Sequence, residues 1–131
     1  NGNGNQVTIQ QQNTGQGGHY AETVINGSYN TQNILQLGNA IKQTFVTTTG
    51  SNNTVSSYQD GLGEHYLNVN LNGNSNDAQV TQTGNTKNAA TINLTNSGAP
   101  ASVTLNQSGG QTYNIDRSCT TTCARVTVTQ P

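Results

Sequence analysis

The side chains able to do chemistry are few and scattered. Cys119 and Cys123 enclose Thr120-Thr121-Thr122. A disulfide closing so short a loop is geometrically feasible and would pin a turn. A zinc site would need two further ligands, and no His lies nearby in the sequence. The spacing is not the Cys-x-x-Cys of redox motifs. His19 lies near Glu22, and His65 near Asp60 and Glu64. Such pairs can move protons, but no nucleophile motif accompanies them. Both are read as solvated turn residues outside the repeat register. Gly2, Gly4 and Gly15-Gln16-Gly17-Gly18 lack the strand–loop–helix context of a phosphate loop and read as turns and a frayed terminus. The sequons at Asn26, Asn52, Asn93 and Asn106 are expected by chance in a chain so rich in Asn and Thr. No catalytic residue, metal site or cofactor is assigned, and the chain is not read as an enzyme.

The remaining polar residues point to architecture. The 131 residues suit one small domain, but only 29% are hydrophobic and 7% charged. Ordinary domains are nearer half apolar and a quarter charged. There are 21 Asn, 14 Gln, 21 Thr and 15 Gly. Such a chain must be held largely by backbone and amide hydrogen bonds, or remain a low-complexity tract. Net charge is −1. Lys42, Lys87, Arg117 and Arg125 form no patch, which argues against nucleic acid. Lys42 is expected to be replaceable. No apolar run approaches a membrane span. The start at Asn1 rather than Met is read as a removed leader, and the two Cys fit an extracellular product.

A repeat organises these residues. Gln36, Gln59 and Gln82 are 23 residues apart, as are Gly38, Gly61 and Gly84, and Asn30, Asn53 and Asn76. Gln11, Gln107 and Gln130 extend the Gln series, and Gly15 and Gly109 the turn glycines. The shared unit opens Asn-x-(apolar or polar)-x-apolar-x-Gln-x-Gly, with Gln32 and Ser57 at inner positions and Ala101 in the Asn place of the fifth repeat, a period-two pattern that predicts a half-buried strand ending at a turn. A second alternating stretch follows, as in Thr44/Val46/Thr48, Leu67/Val69/Leu71 and Ala90/Ile92/Leu94. Asn26-Gly27, Gly50, Asn72-Gly73 and Asn96 close the units.

Two strands per unit cannot bury a face alone, but stacked coils can. The expected fold is all-β: a β-solenoid of about 5.5 strand–turn–strand coils with parallel in-register, cross-β stacking. At about 4.8 Å per coil it spans on the order of 26 Å. Equivalent residues then lie above one another, and Asn and Gln form amide ladders. Residues 1–3 read as an N-terminal extension, 4–118 as five repeats, and 119–131 as a Cys-stapled turn and a half repeat.

These residues resemble the curlin repeat of curli fibre subunits. That unit runs Ser, five residues, Gln-x-Gly, two residues, Asn-x-Ala, three residues, Gln. Here Asn30, Asn53 and Asn76 stand in the Ser place. The Gln-x-Gly core recurs at Gln36-Leu37-Gly38, Gln59-Asp60-Gly61, Gln82-Thr83-Gly84 and Gln107-Ser108-Gly109. The second half departs: only Asn88-Ala89-Ala90 approximates Asn-x-Ala, and the closing Gln is out of register. The resemblance covers residues 4–130. It implies a secreted amyloid subunit of bacterial biofilm matrix, a major subunit or a minor nucleating one. The implied partners are copies of itself, a nucleator subunit and secretion or chaperone machinery.

The residues support the same expectation. The first coil has no polar cap, and Val126 and Val128 form an edge pattern. Head-to-tail addition at open ends follows. The alternative is a soluble extracellular solenoid that binds carbohydrate, ice or a surface. Outward Thr pairs such as Thr47/Thr49 and Thr81/Thr83 are interrupted by Leu37, Tyr58, Asp60 and Gln79, and the five Tyr are read as sharing no single register.

Overall fold

The computed structural model describes residues 1–131. Its elements are β1 (Gln6–Asn13), β2 (Tyr20–Asn26), β3 (Thr31–Gly38), β4 (Lys42–Thr49), β5 (Thr54–Gln59), β6 (His65–Asn72), β7 (Asp77–Gln82), β8 (Asn88–Asn96), β9 (Ser102–Gln107), β10 (Thr112–Cys119) and β11 (Val126–Gln130). Odd strands form a six-stranded sheet ordered β1-β3-β5-β7-β9-β11, and even strands a five-stranded sheet ordered β10-β8-β6-β4-β2. Every pairing is parallel. The chain is a β-solenoid of strand–turn–strand coils.

Alternation in the sequence becomes alternation of burial. Along β5 the pattern is half-buried outside and buried inside, with Val55, Ser57 and Gln59 inward. Across the coil, β6 turns His65, Leu67, Val69 and Leu71 inward. The two inner faces share a narrow core of 15 buried apolar residues, among them Ile34, Val46, Leu67, Val80, Ile92 and Leu105. Burying each large one is worth about 1.5–3 kcal/mol. Register keeps like on like: Val46 lies on Val69, and Val69 on Ile92.

The turns are laddered as well as the strands. Of 75 backbone–backbone hydrogen bonds, 19 lie outside regular strand pairing, so the turns stack as ordered rungs. Gly50 N donates to Asn26 O, and Gly73 N to Thr49 O. Positive φ recurs at Gly27, Gly38, Gly50, Gly61, Gly73 and Gly84, alternately 11 and 12 residues apart. The structural unit is therefore the half-coil. At Gly50 (φ 112°) a side chain is excluded twice over, because a Cβ would lie 2.0 Å from Gly73 O.

Gly15 and Gly109 lie in turns, as expected, but the left-handed conformation of Gly38, Gly61 and Gly84 falls there to Gly17 and Gly110. By register Asn13 pairs with Gly38, and Gly15 comes late because the first turn is longer. One expectation is corrected. The N-terminal residues are not frayed: Asn1 O accepts from Gly27 N and Asn3 O from Tyr29 N, so they form one more stacked turn.

Candidate functional site

The distinctive chemistry is a set of side-chain columns running along the solenoid axis. The first is glutamine. Gln11 Nε2 donates to Gln36 Oε1 (2.6 Å), Gln36 to Gln59 (2.9 Å), Gln59 to Gln82 (2.7 Å) and Gln82 to Gln107 (2.9 Å). Gln36, Gln59, Gln82 and Gln107 also donate across the coil to the carbonyls of Tyr20, Gln43, Tyr66 and Ala89. One amide thus ties coil to coil and sheet to sheet. Gln130 aligns with Gln107, but its amide joins no bond on either atom and is only 7% exposed. The bonded ladder therefore ends at Gln107, whose Nε2 turns to Ala89 O and Gln111 O.

The second column is asparagine, and its polarity is reversed. Asn30 donates its backbone N and Nδ2 back to Asn5 Oδ1, and Asn53 repeats both bonds to Asn30. Asn76 donates its backbone N to Asn53 Oδ1. The fifth coil has Ala101 here. Asn96 fills the loss by donating Nδ2 to Asn76 Oδ1, while Ala101 N donates to the same oxygen.

The third column escaped the sequence reading. His19, Lys42, His65 and Asn88 are each 23 residues apart; Lys42 pairs with His65, and His65 with Asn88. The expectation of two solvated histidines outside the register is therefore corrected: His65 is 1% exposed. Each member turns a side-chain nitrogen onto turn carbonyls. His19 Nε2 contacts Gln12 O (3.3 Å), His65 Nε2 bonds Asp60 O (2.8 Å) and Asn88 Nδ2 bonds Thr83 O (2.8 Å).

Lys42 is likewise not a surface residue. It is 0% exposed, and its ammonium donates to the carbonyls of Ala40 (3.2 Å), Gly61 (3.0 Å) and Gly63 (2.7 Å). Burial lowers its pKa, opposed by Asp60 and Glu64. No carboxylate pairs with it directly; the one salt bridge joins Arg125 to Asp77.

The outer faces are mixed. On the five-stranded sheet Tyr20 and Tyr66 occupy one row, both in register with Gln43, and Phe45 leans between them at ring distances of 5.3 and 5.7 Å. These two tyrosines share a register, while Tyr58 and Tyr113 stand on other rows and Tyr29 in a turn, so the five share no single register. A shallow trough of about 490 Å³ crosses the other sheet between Thr8, Asn33, Ser56, Gln79 and Tyr58.

The two ends differ. At the first coil Val7 and Ile9 face inward on strand β1 yet are each 43% exposed, because no rung covers them. At the other end Cys119 and Cys123 form a disulfide. Arg117 occupies the row of Leu94 on β10 and donates to Ala124 O. There is no cluster of three or more His, Cys, Asp or Glu able to hold a metal ion, and no helix long and apolar enough to cross a membrane. No protein-family model, curated protein or solved structure matches the chain.

Proposed function

We propose that the chain is the structural protomer of a secreted, extracellular curli-type fibre in a bacterial biofilm matrix, adding head to tail through its open solenoid edges. The observation that carries this reading is the translational sameness of the interior. Each coil repeats the last in parallel register, so one end resembles the complement of the other. At the six-stranded sheet, Asn5 and the β1 residues Val7, Ile9 and Gln11 have counterparts in Ala124 and the β11 residues Val126, Val128 and Gln130 at the opposite edge. Bringing them together would cover Val7 and Ile9, and unpaired edge strands template such additions.

The glutamine polarity is compatible with the same join. Donors run from each Gln to the next, so a second copy's Gln11 Oε1 would continue the column once the unbonded Gln130 amide turns its Nε2 to it. Pairing relieves a buried amide that costs roughly 1–3 kcal/mol while unsatisfied. A nucleator subunit and secretion machinery belong to this reading through the curlin resemblance. His19 and His65 serve turn carbonyls in it, and no enzymatic role is proposed.

A second reading is a soluble extracellular solenoid that binds carbohydrate. Two observations favour it: the Tyr20–Phe45–Tyr66 row offers ring faces on an open sheet, and inward Arg117 blunts the β10 edge as charged residues do. Incubating purified chain at tens of micromolar separates the two. Fibres support the protomer; persistent β-rich monomers support the binding module.

A further inference from the structure

His65 and Lys42 are both fully buried and lie one rung apart. The imidazole is held on one side only. Its Nε2 meets Asp60 O at 2.8 Å, which places the ring proton there, because a carbonyl accepts and does not donate. Its Nδ1 is buried and bonded to nothing. The neutral ring therefore leaves a bare lone pair inside the turn.

Every neighbour bears on what a second proton would do. The preceding rung presents the Lys42 ammonium, already engaged by three carbonyls. The following rung presents Asn88, whose Oδ1 accepts from Gly110 N and whose Nδ2 donates to Thr83 O. Two rungs back, His19 Nδ1 accepts from Lys42 N. Asp60 and Glu64 flank the same turn, but the Asp60 oxygens are taken by Gly61 N and Tyr58 Oη. Lys87 stands at the rim with Glu64. A proton on Nδ1 would be a second buried cation beside Lys42, relieved only in part by the backbone of Glu64, whose carbonyl already accepts from Asn88 N.

We propose that the Lys42–His65 step is an acid-sensitive joint: the solenoid stays closed there while the imidazole is neutral, and the Asp60–His65 turn opens when Nδ1 takes a proton. Opening lets the ring reach water and separates it from the ammonium. Burial is the main influence holding His65 below the usual histidine range, Lys42 adds to it, and Asp60 and Glu64 oppose both. The folded pKa thus lies below the unfolded value of about 6.5. Stability is then complete above that value and is lost as pH falls through it toward the folded pKa. The joint is a property of the folded chain and holds whether or not copies associate.

The test is urea unfolding of the full-length monomer, followed by far-ultraviolet circular dichroism near pH 7.5 and pH 5. Wild type and His19→Asn should both show a several-fold rise in the unfolding constant at the lower pH. His65→Asn should be nearly flat; Asn88 shows that an amide in this column reaches the carbonyl five residues back. A flat wild type, or full dependence retained in His65→Asn, overturns the proposal. Should His65→Asn fail to fold, His19→Asn leaves one imidazole for nitrogen-15 resonance. A titration midpoint below the ordinary range with the proton on Nε2 supports the joint, and an ordinary midpoint sinks it.

Discussion

Lys42 pairs in register with His65, and both side chains are sealed inside the turn column of the solenoid. A cation and an imidazole share a column whose next member, Asn88, is neutral. What unites them is a nitrogen donor on a side chain able to reach the turn carbonyls. Lys42→Ala strips Ala40, Gly61 and Gly63 of a shared donor. It should destabilise the fold by about 2–4 kcal/mol, measured by urea unfolding. A change within about 0.5 kcal/mol, the range of ordinary surface substitutions, would restore Lys42 to the surface class.

Lys42 also sets an alkaline signature. Its folded pKa lies below that of the unfolded chain, so the unfolded chain holds its proton to higher pH. Stability should rise as pH climbs from the folded pKa toward about 10.4. Tyr20 and Tyr58, raised by their hydrogen bonds to Glu22 and Asp60, resist ionisation and should reverse the gain at still higher pH. Lys42→Met should lose the rise in a denaturation series between about pH 8 and pH 10; an unchanged slope would mean another group is responsible.

The glutamine ladder should be costly to interrupt. Gln59→Ala removes the acceptor of Gln36, the donor of Gln82, and the bond to Gln43 O. Losing them leaves buried amide groups unpaired, at about 1–3 kcal/mol each. A loss of about 2 kcal/mol or more, with slower fibre growth, is expected from Gln59→Ala and from Gln82→Ala. Gln79→Ala, on the exposed outer face, is the control. Indistinguishable behaviour of the inner and outer variants would count against the ladder.

Glycine at Gly50 is required by both conformation and space. Gly50→Ala meets φ 112° and a Cβ contact of 2.0 Å with Gly73 O, so it should cost at least about 2 kcal/mol or prevent folding. Gly18→Ala, where a Cβ meets nothing within 4 Å, should be close to neutral. Thermal melts of the two variants decide this, and equal melting temperatures would contradict the stacked-turn geometry.

The staple acts locally. Cys119 and Cys123 close a very short loop, for which the chain-entropy estimate is about 2 kcal/mol. Replacing both by Ser should raise amide exchange chiefly in β10 and β11, leaving β4 to β8 protected. Uniformly faster exchange would show instead that the disulfide supports the whole solenoid.

Much of this architecture was legible because identical residues recur at a fixed step. Gln36, Gln59 and Gln82 announce a ladder, and Leu67/Val69/Leu71 announce an inward face. The turn column was hidden because His19, Lys42, His65 and Asn88 share a position and a task but no chemical class. Counting steps of 23 from His19 would have found it. Tyr20 and Tyr66 were obscured by Gln43, which takes the intervening place while Phe45 leans in from the next row. Compensation by Asn96 for the missing amide at Ala101 arises from a turn folding back, which no spacing encodes. Gln130 aligns with the ladder yet is unbonded, a distinction only side-chain geometry reveals.

In a fibre protomer these in-register columns continue from one chain into the next. Electron microscopy of the purified chain after incubation, with fibre diffraction on the same sample, tests this continuity most directly. Unbranched fibres with a meridional reflection near 4.8 Å, weakened in Gln59→Ala, are the expected result. Monodisperse particles that keep their β-rich spectrum for days at tens of micromolar would show that the columns end within each chain.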